Sequence, residues 1–210
     1  GAGHPVVVFW TDSVTLAVER QTAHGLHLAQ MDVRTNAVRN EMDLPDYVIA
    51  NLGALSDGWV WIPAAGDRII ARRAGATREY PKPPWYAFLY ELGVDPSGHR
   101  VFFDGPDKST SDSLGAGVLS LDDGSTTQWG SMFAEFGHVI PLADGGLFVM
   151  ASRTQGSLSL FKLSGPGQLQ SLGDSPRPMR AVLVSGDLRR ATANERDYRA
   201  DAWMSKVITH

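Results

Sequence analysis

The stretch Asp95-Pro96-Ser97-Gly98-His99-Arg100-Val101-Phe102-Phe103 decides the fold. Its first four residues are turn chemistry: proline fixes φ, Asp and Ser bond the neighbouring backbone, and glycine enters positive φ without a Cβ clash. An apolar, β-rich run follows at once. The same punctuation recurs at Leu55-Ser56-Asp57-Gly58, Leu142-Ala143-Asp144-Gly145 and Val184-Ser185-Gly186-Asp187, and the four glycines stand 40, 47 and 41 residues apart. A fainter copy, Trp10-Thr11-Asp12-Ser13, lies 45 residues before Gly58. Each turn separates two apolar runs, which is the pattern of a β-hairpin.

The runs before the turns are Val6–Trp10, Tyr47–Leu52, Tyr86–Leu92, Phe136–Leu142 and Met179–Val184. Those after them are Val14–Val18, Trp59–Pro63, Arg100–Phe103, Leu147–Ala151 and Leu188–Ala193. Third runs follow at Leu26–Val33, Arg68–Arg72, Gly117–Leu121, Leu158–Leu163 and Ala202–Ile208. Four copies add a more polar fourth run: Val38–Leu44, Thr77–Tyr80, Thr126–Trp129 and Leu169–Leu172. The sheet of one repeat cannot cover both its faces, so repeats must stack on one another. Apolarity declines from the first strand of a repeat (a) to the last (d), as in a blade whose inner strands are buried and whose outer strand meets water. The expected fold is therefore all-β, a β-propeller of about five four-stranded blades, with another sandwich or barrel as the rival. A helix over residues 16–42 is the other alternative; Gly25, Val33, Thr35 and the lack of a sustained i, i+3, i+4 stripe argue against it. Residues 1–4 read as a tag scar or disordered start. Residues 5–210 form one domain with repeats at 5–46, 47–85, 86–135, 136–178 and 179–210.

Two stretches, Asp95–Phe103 and Leu142-Ala143-Asp144-Gly145-Gly146-Leu147-Phe148-Val149, resemble the blade signature of TolB-like (WD40-like) propeller repeats. The last copy runs from Ser185-Gly186-Asp187-Leu188-Arg189-Arg190-Ala191 to Asp201-Ala202-Trp203-Met204-Ser205. It resembles the closing repeat of propellers fused to bacterial kinases and other sensory proteins. The Gly-His and Trp-Asp combination of true WD40 blades is missing. The resemblance implies architecture first, and a bacterial sensor or scaffold propeller second, alone or attached to a kinase or hydrolase domain. The first repeat starts with its own strand a and the last stops after strand c. Either Val6–Trp10 serves twice or the chain is part of a longer propeller, and the second reading is preferred. Open terminal blades, with Trp10 or Trp203 near solvent, then predict self-association.

Composition narrows the function classes. With 43% hydrophobic and 20% charged residues the chain is globular rather than disordered. A net charge of −4 with no basic block gives no surface for nucleic acid. No apolar run approaches the roughly 20 residues that span a bilayer. Absence of cysteine removes disulfides, thiolate zinc sites and cysteine nucleophiles, yet leaves the compartment open.

No catalytic or metal motif stands out, and no cofactor is expected. His24 and His27 flank Gly25 with no third ligand in range. The connection 104–117, with Asp104, Asp107 and Asp112, is rich in oxygen but lacks the spacing of a calcium loop. Ser109, Ser111 and Ser113 lack a nucleophile elbow. Asp46, Glu135 and Asp174, placed in connections of one face, supply the minimum for a glycoside-hydrolase-like enzyme, the alternative function. Alternating strands put the d–a connections and the b–c loops on the same face. Six of the twelve prolines lie in those connections: Pro45, Pro81, Pro83, Pro84, Pro176 and Pro178. Rigid loops carrying aromatic and Arg side chains suit recognition. The expected ligand-binding residues are Tyr47, Trp85, Tyr86, His138, Arg177 and Tyr198, for a protein or small ligand.

Overall fold

The computed structural model describes residues 6–44, 49–109, 113–133, 135–152, 159–174, 179–184, 188–196 and 203–209, and the account is of backbone alone at 6–10, 49–50, 131–133, 135–138, 152, 179–184, 190–196 and 203–209. The turn positions Tyr47, Asp46, Asp112, Arg177, Gly186 and Tyr198 lie outside the described residues. Among those described there is no helix. The chain divides into two compact units, Gly1–Lys82 and Pro83–His210.

The first unit holds two antiparallel four-stranded sheets in sequence order. One is β1 (Val6–Trp10), β2 (Thr15–Thr22), β3 (Gly25–Asp32) and β4 (Ala37–Leu44); the other is β5 (Ile49–Leu55), β6 (Gly58–Pro63), β7 (Arg68–Arg73) and β8 (Ala76–Pro81). Burial follows the expected gradient: all six residues of β6 are buried, while β8 exposes all but Tyr80. A strand buried on both faces needs cover on each. One cover is the first sheet, because Trp59, Trp61 and Ile70 pack with Ala17, Leu26, Leu28 and Met42. Gln30, 0% exposed, pins the same junction. Its amide donates to the Leu55 and Gly58 carbonyls at 2.7 and 2.9 Å and its oxygen accepts from the Asn40 side chain at 2.9 Å. The Trp59 indole N–H donates to the Asn40 carbonyl at 2.6 Å, where a bulge holds Asn40 at φ 52, in the left-handed region.

The second unit holds three sheets. The third sheet is β9 (Leu92–Val94), β10 (Arg100–Pro106), β11 (Leu114–Ser120) and β12 (Thr126–Phe133). The fourth is β13 (Glu135–Pro141), β14 (Leu147–Ser152), β15 (Ser159–Leu163) and β16 (Leu169–Asp174), and the fifth is β17 (Met179–Val184), β18 (Arg190–Arg196) and β19 (Trp203–Thr209). Phe102, Val118 and Trp129 of the third sheet pack on Val139, Leu147, Val149 and Phe161 of the fourth. Phe148 and Met150, on the opposite face of β14, meet Leu188 beside the fifth. Each such buried apolar side chain contributes about 2 kcal/mol, so the stacking holds the sheets.

The Asp95 turn works as its residue types require. The carboxylate accepts from the Ser97 hydroxyl at 2.8 Å and from the His99 and Arg100 amides at 3.1 Å, and the Arg100 guanidinium closes on it at 3.2 Å. Gly98 takes φ 72 and Gly145 takes φ 82, the expected use of glycine. Gly58 differs. It opens β6 outside the positive-φ set, and a Cβ there would stand 1.8 Å from the Arg72 carbonyl oxygen. Close approach of β7, not turn geometry, demands that glycine.

Three expectations need correction. The run Tyr86–Leu92 is not a strand; only Leu92–Val94 pairs with β10, at Val94↔Val101 to Leu92↔Phe103. The long connection 104–117 is shorter, because β10 continues through Pro106 and β11 begins at Leu114, which puts Asp104 within a strand. Asp174 ends the outer strand β16 opposite Ser159, whose hydroxyl donates to it, and is exposed there.

Candidate binding surface

Pro83-Pro84 precedes a segment that neither pairs regularly nor leaves the sheet. The Tyr86 amide closes a turn on the Pro83 carbonyl at 3.2 Å. Ala87 and Tyr90 then donate to the Pro106 and Asp104 carbonyls at 2.9 and 3.0 Å, and the Lys108 amide donates to the Trp85 carbonyl at 2.9 Å. The Glu91 amide is taken by the Asp104 carboxylate at 2.8 Å. This connection entering β9 thus runs against the loop leaving β10, and a d–a connection and a b–c loop share one end of the third sheet.

The hydrogen bonds set which side chains turn inward. Tyr86, Leu89 and Leu92 are buried, three residues apart, while Phe88 and Tyr90 are 38% and 47% exposed. Phe88 and Tyr90 meet edge to face, ring centroids 4.6 Å apart. Gly105 makes this path possible: a Cβ there would lie 2.1 Å from the Phe88 carbonyl oxygen.

Tyr86 is the base of the surface rather than part of it. Its ring meets Phe103 edge to face at 5.5 Å and lies over Gly115 and Gly117. Burial drives its phenol pKa well above the ordinary value; the Trp85 indole N–H opposes this, and the Asp104 and Asp107 carboxylates add to it. The hydroxyl is neutral throughout the physiological range. Trp85 is half-buried at the rim, its ring 6.2 Å from that of Tyr86. Asp107 is 5% exposed. It accepts from the Ser109 amide and hydroxyl at 2.8 and 2.7 Å and from the Gln128 amide at 2.9 Å. Burial would raise its pKa, but these donors hold it below the usual carboxylate value.

Of the other expected site residues, His138 lies in β13 opposite Met150, at a register shift, with only its backbone described. Tyr47, Arg177 and Tyr198 lie outside the described residues. Glu135 opens β13, described by backbone alone. Phe88 and Tyr90 were not among the expected residues. They stand at i, i+2, i+4 with Tyr86, which in an extended strand would bury all three on one face. The signal that separates them is the double proline followed by a long run with one glycine-backed partner, Gly105.

A concavity of about 260 Å³ lies in the first unit between β4 and the β6–β7 hairpin, lined by Asn40, Met42, Asp57, Trp59 and Arg72 among others. It falls short of the roughly 300 Å³ at which small-molecule pockets begin. Among the described residues, no group of three or more His, Asp and Glu side chains is placed to hold a metal ion.

Sequential antiparallel sheets stacked through their faces define a β-propeller, and solved structures show the same fold. TolB from Acinetobacter baumannii matches with a TM-score of 0.69 and 11% identity, over 98% of this chain and 52% of that one. An oligogalacturonate lyase in complex with manganese matches at 0.66 and 9%, over 96% and 61%. The β-propeller domain of Cps50 (Swd1) from Myceliophteria thermophila matches at 0.61 and 14%, over 94% and 64%. The chain resembles TolB-like and WD40-like propellers, and it spans about half to two thirds of the length of these structures. At such identities the likeness is one of fold. No family model and no curated protein matches the sequence.

Proposed function

We propose that the chain is a non-catalytic recognition module, a propeller serving as sensor or scaffold, which binds a protein on the d–a/b–c end of its third sheet. The observation that supports this is the exposed Phe88–Tyr90 pair on a segment tied to β10 by backbone hydrogen bonds. Large rings displayed together on a fixed backbone lose little entropy on binding and are typical anchors of protein interfaces. Trp85 extends the surface and Tyr86 fixes it from below. His138, Arg177 and Tyr198 belong to the same unit and complete the proposed set; Tyr47 belongs to the other unit and is to be varied separately.

The test compares the chain with its Phe88→Ser/Tyr90→Ser variant as baits for extracts, together with a panel of glycosidase, esterase and phosphatase substrates. A partner retained by the first bait and lost by the second, with thermal midpoints alike and no turnover, is the expected result. Turnover abolished by Glu135→Gln or Asp174→Asn would install the hydrolase reading instead.

A further inference from the structure

We propose that the concavity between β4 and the β6–β7 hairpin is a binding site for a free α-amino acid with an apolar side chain. It lies in the first unit, away from the segment that carries Phe88 and Tyr90, and does not depend on the recognition reading above. Among its described lining residues the charged ones are Glu41, Asp57 and Arg72. Arg73 closes on Asp57, its Nε 3.0 and 3.1 Å from the two carboxylate oxygens, so that acid is already balanced. Glu41 and Arg72 are exposed, and neither side chain has an ion pair or hydrogen bond with another described residue. One concavity therefore carries an acid and a base that do not meet. A ligand bearing both an ammonium and a carboxylate satisfies the two, whereas a simple anion or cation leaves one charge beside a like charge.

The floor between the charges is carbon. Trp59 and Met42 are 1% and 5% exposed and belong to the core that joins the two sheets. The Trp59 indole N–H is taken by the Asn40 carbonyl, so only the ring is left for a ligand. Trp59 and Arg72 are cross-strand partners, which puts their side chains on one face of the sheet, the face that Trp59 turns to the first sheet. The opposite wall is bulged: Asn40 and Glu41 together oppose Ala29, between the Met42↔Leu28 and Arg39↔Gln30 pairs. Bulges of this kind re-aim side chains beside sites. Asn40 is fixed at φ 52 by its bonds to Gln30, Ser56 and Trp59, so the wall is formed before a ligand arrives. A pre-formed apolar floor with a few polar groups at its rim is the usual make-up of a small-ligand site. The volume of about 260 Å³ is too small for a drug-sized molecule and equals about nine waters at about 30 Å³ each, close to the non-hydrogen count of leucine.

The test is calorimetric titration of the whole chain, near neutral pH, with L-leucine, leucinamide, 4-methylpentanoate (leucine without its amino group) and glycine. Leucine should bind with a Kd below about 1 mM, and each analogue at least about tenfold more weakly, because each lacks one of the three contacts. Arg72→Gln should weaken leucine and bring it level with leucinamide. Glu41→Gln should weaken leucine and bring it level with 4-methylpentanoate. Both positions are exposed, so the thermal midpoint should not move. A merely structural role would not level one analogue and spare the other. Should 4-methylpentanoate or leucinamide bind the parent chain as tightly as leucine, the site takes a plain anion or cation and the inference is overturned. Leucine binding that ignores both variants, or none at about 10 mM, overturns it as well. The Phe88→Ser/Tyr90→Ser variant should bind leucine as the parent does, which separates failure of this site from failure of the recognition surface; loss of leucine there would assign the ligand to the other unit and overturn the inference.

Discussion

A methyl group at Gly105 would stand 2.1 Å from the Phe88 carbonyl oxygen, with backbone rather than a movable side chain in its way. Gly105→Ala should therefore push the 86–91 segment off β10, lowering the thermal midpoint by several degrees and losing whatever binds Phe88 and Tyr90. Gly98→Ala is the control: nothing lies within 4 Å and only φ +72 opposes it, a cost of about 1 kcal/mol without loss of binding. Gln30 is the residue-scale support of the first unit. Gln30→Leu strands the Leu55 and Gly58 carbonyls in the core and should cost about 2 to 3 kcal/mol in denaturant melts. Asp95 gives the acid limb of stability a source. Burial would raise its pKa, but the Ser97 hydroxyl and the Arg100 amide and guanidinium outweigh that and hold it below 3.8. A folded pKa below the unfolded one stabilises above the unfolded value and is lost as pH falls through the folded one. Stability should fall below pH 3.8, and Asp95→Asn should flatten that limb in melts taken from pH 6 downward, on the order of the range where carboxylates titrate.

Most elements were legible because turn chemistry and the burial gradient agree in the sequence. Met179–Val184 is a strand with the bounds its apolar run suggests, and Arg68–Arg73, Leu147–Ser152 and Ala37–Leu44 depart from theirs by a residue. The segment before β9 was not legible, for a physical reason. Tyr86, Phe88, Tyr90 and Leu92 alternate as a buried strand does, but the inward set is Tyr86, Leu89 and Leu92. Local alternation cannot register that Gly105 admits the Phe88 backbone and that Asp104 captures the Glu91 amide. Those contacts come from residues 13 to 17 positions away in the chain, beyond any local pattern. Asp104→Ala removes the capture. Hydrogen exchange should then quicken at Glu91 and along 86–91 while Val101–Phe103 stays protected; unchanged exchange at Glu91 would show that the carboxylate does not hold the segment.

At the scale of the molecule, the repeat spacing carried the fold because every sheet needs a neighbour. Trp59 and Trp61 make the junction within the first unit, and Phe102, Trp129 and Phe161 make one within the second. The function was less legible, since the sequence marks a loop face while the rings that reach solvent are chosen by the path of the chain over β10. Tyr86 inside and Tyr90 outside is the arrangement on which the proposed recognition rests. The direct measurement is fluorine NMR of the whole chain labelled with 3-fluorotyrosine, with resonances assigned by Tyr86→Phe and Tyr90→Phe, in the presence of a soluble paramagnetic agent. The Tyr90 resonance should broaden strongly and the Tyr86 resonance hardly at all. Equal protection of both tyrosines, as a plain alternating strand requires, would contradict the surface and the function built on it.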